Sequence, residues 1–170
     1  LQVHIGKKPV RVAFFDRSGA LLNEDHPLKG MSWISRSRPD SLRDAPGTAG
    51  AEVRVWKSSP ADEHYYGLGE KAAAFEMGGK SITMWNADIP GYNAGTDPLY
   101  QTIPFFMGMR KGRAYGIFFD NTYWSNFDMG KESRDQYSFG AEGGDLDYYF
   151  FAGPTPKSIL SRFTELVGRM

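Results

Sequence analysis

The sequence predicts an all-β fold, a β-sandwich that ends in one C-terminal helix. Short apolar and aromatic runs alternate along the chain with turn-forming glycine, proline, asparagine and aspartate. Aromatic residues make up 15% of the 170 residues and glycine occurs 20 times, a combination that favours strands and turns over helices. A single late segment has apolar residues at helical spacing.

The chain begins with two hairpin patterns. Apolar residues 3–5 and 10–15 flank the turn-forming residues 6–9. A second turn at residues 17–19 leads into an apolar segment at 20–22. We therefore predict three short strands within the first 22 residues.

A long polar segment and a series of strands follow. Residues 23–50 are rich in proline, serine and arginine, and we interpret them as a loop. Residues 51–55 alternate apolar and charged side chains, as a half-buried strand does. Residues 86–100 hold two prolines and two glycines and are predicted to form an irregular loop. Further strands are predicted at residues 65–70, 81–85, 102–109, 115–120, 136–139 and 146–151.

The C-terminal segment has the signals of a complete helix. Thr155 can cap its start and Pro156 suits its first turn. Gly168 can end it. The apolar residues between them recur at helical spacing: Ile159, Leu160, Phe163, Leu166 and Val167.

Composition excludes several classes of protein. The formal net charge is zero, with 20 basic and 20 acidic residues, whereas a nucleic-acid-binding protein needs a basic surface. The apolar runs, such as Tyr148–Ala152, are far too short to span a bilayer, and the first residues do not show the pattern of a signal peptide. The chain has no cysteine, which excludes disulfides, zinc-thiolate sites and cysteine nucleophiles. No segment indicates a cellular compartment.

The residues offer little to metal or nucleophilic chemistry. His4, His26 and His64 lack the spacing of zinc ligands, so we predict no metal site and no cofactor. No Gly-x-Ser-x-Gly motif occurs. The glycines of residues 67–70 lack the third glycine and following helix of a dinucleotide site, and we interpret them as points of close backbone packing.

Carboxylates are the remaining candidates, because glycoside hydrolysis requires two of them across a sugar. Candidate acids are Glu70, Glu76, Asp88, Asp97, Asp145 and Asp147. Asp88 stands out because it lies in the irregular loop among groups that suit a sugar: Trp85, Asn86, Tyr92 and Tyr100. From the residues alone, a structural role for this loop acid stays open beside a functional one.

Seven motifs follow one another from residue 66 to residue 169. They are YGLGE (66–70), WNADIPGY (85–92), TDPLY (96–100), IPFF (103–106), YGIFFDN (115–121), DLDYYFFAGPTP (145–156) and FTELVGR (163–169). In order and spacing they resemble the N-terminal β-sandwich of family-31 glycoside hydrolases, the α-glucosidase and α-xylosidase group. Residues 1–57 match only as paired strands with a turn. The segment 96–106 is closer to the α-glucosidase members.

The resemblance implies a galactose mutarotase-like supersandwich over residues 1–154 and, at 155–170, a helix that leads to a (β/α)8 barrel. The chain begins at Leu1 rather than Met and ends at Met170, so we expect a piece of a longer polypeptide that lacks the first strands and the barrel. In the family, the barrel carries an aspartate nucleophile and an aspartate acid/base and the reaction retains configuration. We therefore expect no catalytic residue in this chain and no activity from the chain alone.

The resemblance also assigns a role to Asp88. It matches a loop aspartate that contacts the sugar on the leaving-group side of the family's active site. Asp88 is thus our predicted substrate-binding residue. The expected partners are an α-linked oligosaccharide or glucoside at the domain interface and the catalytic barrel of the same polypeptide.

Three other functions compete with this interpretation. A carbohydrate-binding module that works alone would bind sugar as the isolated chain. A purely structural sandwich would brace the barrel with Asp88 incidental. A true mutarotase would need a histidine and a glutamate at the sugar, and the three histidines show no such placement.

Overall fold

The structure is a computed structural model that describes residues 1–35 and 51–169. These residues form twelve β-strands followed by one helix, α1 (Pro156–Val167). The strands are β1 (Gln2–Lys7), β2 (Val10–Phe15), β3 (Leu21–Glu24), β4 (Met31–Ser35), β5 (Ala51–Ser58), β6 (His64–Gly67), β7 (Ser81–Met84), β8 (Phe105–Arg110), β9 (Arg113–Phe119), β10 (Ser125–Asp128), β11 (Gln136–Ala141) and β12 (Tyr148–Ala152).

The strands form three antiparallel sheets. The largest has the order β4-β5-β11-β10-β7, and a four-stranded sheet has the order β12-β9-β8-β6. Strands β1, β2 and β3 form a third, smaller sheet. The predicted all-β sandwich with one C-terminal helix is confirmed.

Aromatic side chains fill the core between the two larger sheets. Phe127 and Phe139 of the five-stranded sheet meet Phe106 and Phe119 of the four-stranded sheet, and all four side chains are completely buried. The ring centroids of Phe106 and Phe127 lie 6.1 Å apart in an edge-to-face arrangement. Such contacts stabilise a core beyond the apolar area that they bury.

The third sheet lies against the sandwich through β2 and β3. Phe14 stacks on Phe150 of β12, with ring centroids 3.9 Å apart. The amide of Asn23 donates a hydrogen bond of 2.8 Å to the Tyr137 hydroxyl in the core. The edge strand β1 is exposed along its whole length.

A buried ion pair also ties the third sheet to the sandwich. Lys57 is the third inward-facing residue of β5, and its Nζ lies 2.7 Å from Oδ1 of Asp25. Both side chains have no exposed surface. The Asp25 carboxylate also accepts the backbone N–H of Val12, and Lys57 donates to the Tyr148 hydroxyl at 3.0 Å. Burial lowers the pKa of Lys57, and the nearby Asp25 opposes that shift.

The helix covers the outer face of the four-stranded sheet. The side chain of Thr155 accepts the N–H of Ser158 in a capping box, and Pro156 opens the helix as predicted. Ile159 is fully buried, and Phe163 stacks on Phe105 with ring centroids 4.0 Å apart. The predicted helix is therefore confirmed at both ends, since it stops at Gly168.

The polar segment 23–50 is not wholly a loop, and that prediction is wrong for its first part. Its first residues belong to β3, and Met31–Ser35 forms β4, which pairs with β5. The many polar residues of the whole segment concealed β4, although three of the five residues of this strand are apolar. Residues 36–50 lie outside the described residues.

Two further strand predictions need correction. Strand β10 was not predicted because Ser125, Asn126 and Asp128 surround its one large apolar residue. The strand expected at 65–70 ends at Gly67, since residues 67–69 have φ angles of 124°, 66° and 79°. These left-handed conformations end an extended strand.

Candidate functional site

The candidate site is the irregular loop that joins β7 to β8. Within it, residues 86–100 contain no strand or helix, as predicted. Gly91 and Gly95 have φ angles of 71° and 85°, which a residue with a side chain rarely adopts. Together with Pro90 and Pro98, they give the loop a defined irregular course.

The Asp88 side chain is exposed on this loop. Within residues 1–35 and 51–169, no hydrogen bond or ion pair involves its carboxylate. The backbone on either side is nevertheless held. The N–H of Ala87 donates to the carbonyl of Leu99 at 3.1 Å, and the Tyr100 hydroxyl donates to the carbonyl of Ile89 at 2.6 Å. The result is a carboxylate open to a ligand on a fixed backbone.

Aromatic rings with exposed faces accompany Asp88. Tyr92 and Tyr100 are about half exposed and form an edge-to-face pair with ring centroids 6.0 Å apart. Trp85 is also about half exposed and lies 5.1 Å from the ring of Trp124. Apolar ring faces on the same loop as a hydrogen-bond acceptor suit the alternating apolar and hydroxyl surfaces of a sugar.

A buried lysine anchors the far arm of the loop, which is residues 97–100. The Nζ of Lys71 donates to Oδ1 of Asp97 at 3.0 Å and to the carbonyl of Thr83 at 2.8 Å. The other oxygen of Asp97 accepts the N–H of Thr83 at 2.6 Å. The Lys71 side chain is 1% exposed and that of Asp97 is 18% exposed. The Asp97 carboxylate is thus hydrogen-bonded within the fold, whereas no described residue binds the Asp88 carboxylate.

Two cavities adjoin the loop. One, of about 850 Å³, is lined by Lys71, Tyr92 and Asp97 among others. The second, of about 470 Å³, is lined by Trp85, Asn86 and Tyr123 among others. The loop is therefore flanked by concave surface rather than lying on a flat face.

The other acids singled out in the sequence do not join Asp88. Glu76 accepts the backbone N–H of Tyr65 at 3.1 Å and so supports strand β6. Asp145 is exposed beside the Asn121 amide, which binds its backbone carbonyl. Glu70 and Asp147 are exposed, with no ion pair among the residues that the structure describes. The part of the chain that is described also contains no cluster of three acids or histidines that could hold a metal ion.

The glycines of residues 67–70 have the packing role expected of them. A Cβ atom on Gly67 would lie 2.7 Å from the carbonyl oxygen of Phe105. On Gly69 it would lie 3.2 Å from the backbone nitrogen of Ile103. The glycines allow this turn to approach β8 closely.

Glu63 is a perturbed acid that the sequence analysis missed. It accepts a hydrogen bond from the buried Tyr115 hydroxyl, which also bonds to Tyr137 at 3.2 Å. Burial raises the pKa of Glu63 to about 7, although Tyr115 and Arg110 oppose the shift. The sequence shows no signal for this, since Glu63 and Tyr115 are 52 residues apart.

We expect the raised pKa of Glu63 to make stability pH-dependent. An ordinary carboxyl titrates near 4.5 in the unfolded chain and this one near 7 in the folded chain, so the folded state binds more protons between those values. This contribution is fully present below about pH 4.5 and is lost as pH rises through about 7, a change of about 3 kcal/mol. Urea unfolding at pH 5 and pH 8 gives the free energy of unfolding of the parent and of the Glu63→Gln variant. The parent should lose more stability than the variant between the two pH values. Parallel pH profiles would contradict it.

No helix in the described part of the chain is long and apolar enough to cross a membrane. A sequence profile of the glycosyl hydrolase 31 N-terminal galactose mutarotase-like domain matches residues 1–128. The chain is 44% identical over 169 residues to alpha-glucosidase 2 of Bacillus thermoamyloliquefaciens. The aligned part is 99% of this chain and 19% of that protein. It is 38% identical over 116 residues to an alpha-xylosidase of Lactiplantibacillus pentosus, and the aligned part is 68% of this chain and 14% of the relative.

Solved structures agree with the sequence relatives. A Flavobacterium johnsoniae family-31 dextranase in complex with glucose matches with a TM-score of 0.79 and 37% identity, over 96% of this chain and 18% of that chain. A cycloalternan-forming enzyme from Listeria monocytogenes in complex with a pentasaccharide substrate matches with a TM-score of 0.81 and 25% identity, over 98% of this chain and 15% of that chain. The chain thus spans less than a fifth of the length of each relative. The profile match and these identities together show that the chain belongs to the glycosyl hydrolase 31 family, as its N-terminal galactose mutarotase-like domain.

Proposed function

We propose that this domain serves a retaining α-glucosidase-type glycoside hydrolase and that Asp88 binds the sugar on the leaving-group side of the active site. One observation carries the proposal: the exposed Asp88 carboxylate has no partner among the described residues, on a loop whose backbone is held on both sides of it. The name of the Bacillus relative, alpha-glucosidase 2, supports the reaction class.

The proposal divides the work between two domains. Residues 1–154 form the sandwich, and residues 155–170 connect it to a catalytic (β/α)8 barrel of the same polypeptide. Two carboxylates of that barrel perform a double displacement, one as nucleophile and one as acid and then base. The greater length of the relatives leaves ample room for such a barrel. No residue of this chain is catalytic in this scheme.

Asp88 contributes by holding the substrate. A carboxylate accepts hydrogen bonds from sugar hydroxyls, and a hydrogen bond to a charged group contributes about 1.5–3 kcal/mol. The half-exposed rings of Trp85 and Tyr92 offer apolar faces on the same loop. Holding the departing sugar in place lowers the barrier by fixing geometry.

The experiment is the Asp88→Ala substitution in the full-length enzyme. We expect kcat/KM for maltose to fall about 10–100-fold, since the hydrogen bonds to the second sugar are lost. An aryl α-glucoside has no second sugar, so its kcat/KM should change less than about threefold. Steady-state kinetics on both substrates measure the difference.

Glu165→Ala is the matched control, because Glu165 is an exposed acid on the helix. It should leave both substrates unaffected. An equal loss on maltose and on the aryl glucoside in Asp88→Ala would refute the proposed role. Sugar binding by the isolated domain in calorimetry would instead favour a carbohydrate-binding module that works alone.

A further inference from the structure

We propose that Lys71, Asp97 and Tyr100 are positioning residues that hold Asp88 in its sugar-binding position. The inference rests on the proposed function of Asp88 and extends it to residues that act through the position of Asp88. Its basis is two sets of hydrogen bonds joined by a short stretch of backbone: one links strand β7 to Asp97, and the other links residues 99 and 100 to the two neighbours of Asp88.

The first links lie next to Asp88 itself. Residues 99 and 100 cross the loop and bind the residues on either side of it. Leu99 accepts the N–H of Ala87 at 3.1 Å, and the Tyr100 hydroxyl donates to the carbonyl of Ile89 at 2.6 Å. Leu99 is itself 4% exposed, so this arm is fixed by burial as well. The position of Asp88 therefore depends on the position of residues 99 and 100.

The next links fix that arm to the sheet. Asp97 lies two residues before Leu99, and its two oxygens bind different groups. One accepts the N–H of Thr83 at 2.6 Å, and the other accepts Lys71 Nζ at 3.0 Å. Thr83 is a central residue of β7 and pairs with Asn126 of β10. The arm is thus joined to the five-stranded sheet and not only to other loop residues.

The burial of Lys71 indicates that this anchor is rigid. Its side chain is 1% exposed, and its ammonium group donates to both the Asp97 carboxylate and the Thr83 carbonyl. A buried lysine that lost its carboxylate partner would be left with an uncompensated charge, so the pair resists opening. A loop without this anchor would visit other conformations, and affinity falls in proportion to the fraction of competent loop.

The test uses the full-length enzyme with Tyr100→Phe, which removes one hydroxyl, and Asp97→Asn, which removes the charge at nearly constant size. We expect each variant to raise KM for maltose about 5–10-fold with kcat changed less than twofold, and to leave the aryl α-glucoside within about twofold. Tyr149→Phe is the control, because that exposed tyrosine lies on β12, outside the loop. Thermal unfolding confirms that each variant is folded; Tyr100→Phe carries the test if Asp97→Asn is not.

A double-variant cycle separates positioning from simple structural support. In an Asp88→Ala background, Tyr100→Phe should have no further effect on maltose, because the group that it positions is gone. Multiplicative losses in the double variant, or equal losses on both substrates in Tyr100→Phe, would overturn the inference and leave the role of Asp88 standing. A maltose activity that Asp88→Ala does not reduce would overturn the proposed function and this inference with it.

Discussion

Replacing Asp25 with alanine is expected to destabilise the folded domain by about 3–5 kcal/mol, the cost of leaving a buried charge without its partner. The change leaves the ammonium group of Lys57, whose side chain has no exposed surface, without its carboxylate partner. It also leaves the N–H of Val12 without its acceptor. Among the described residues, the Tyr148 hydroxyl and the faces of two aromatic rings are the partners that remain near the ammonium group. These groups are weaker partners than a carboxylate.

The same variant should gain stability as pH rises. Burial already lowers the pKa of Lys57, and Asp25 opposes that shift, so removal of Asp25 lowers the pKa further. A lysine with a lowered pKa binds fewer protons in the folded state than in the unfolded state, and stability therefore rises through the alkaline range between the two values. Urea unfolding at pH 7 and pH 9 measures both effects.

A second substitution distinguishes an unpaired charge from general damage. Adding Lys57→Met to Asp25→Ala removes the stranded ammonium group and fills its space with an apolar chain. The double variant should regain most of the lost free energy, since apolar replacements of buried ion pairs are often close to neutral. A double variant less stable than Asp25→Ala, or a loss below about 1 kcal/mol in the single variant, would contradict the argument.

The local elements could be predicted because their signals lie within a few residues. Thr155, Pro156 and Gly168 mark the two ends of the helix, and the chemistry of capping depends only on neighbours in sequence. Hairpin β1–β2 is equally local, because its strands are separated by two residues. Strands β4 and β10 were missed because they are short and are stabilised by pairing with strands distant in sequence, β5 and β7 respectively, which leaves little local pattern.

The candidate site was likewise predictable only where its signals are local in sequence. The resemblance of residues 85–92 to a family motif identified Asp88, and the irregular loop around it was predicted from prolines and glycines. The pairing of Lys71 with Asp97 was not predicted, because the two residues are 26 positions apart. The buried pair of Asp25 and Lys57 is likewise a product of tertiary packing. Charge partners at such separations leave no pattern in one sequence.

The glycine turn after β6 gives the second large effect. We expect Gly67→Ala to destabilise the domain by about 3–5 kcal/mol, through backbone strain and overpacking together. Gly67 has a φ of 124°, and an added Cβ would lie 2.7 Å from the Phe105 carbonyl oxygen and 3.0 Å from the Cα of Phe106. Both atoms belong to the backbone of β8, so no side-chain rotation relieves the contact. The hydrogen bond from the N–H of Leu68 to that same carbonyl would be disturbed as well.

Gly79→Ala is the control, because Gly79 also has a positive φ but lacks the contact. Its φ is 74°, and no atom lies within 4 Å of an added Cβ. This variant should be destabilised only by the strain of the left-handed backbone, about 1 kcal/mol. Urea unfolding of both variants gives the comparison directly. Equal losses would mean that the approach to β8 is not what requires glycine at position 67. A much larger loss in Gly67→Ala would account for the glycine at position 67 through packing against β8, with no need for a bound phosphate.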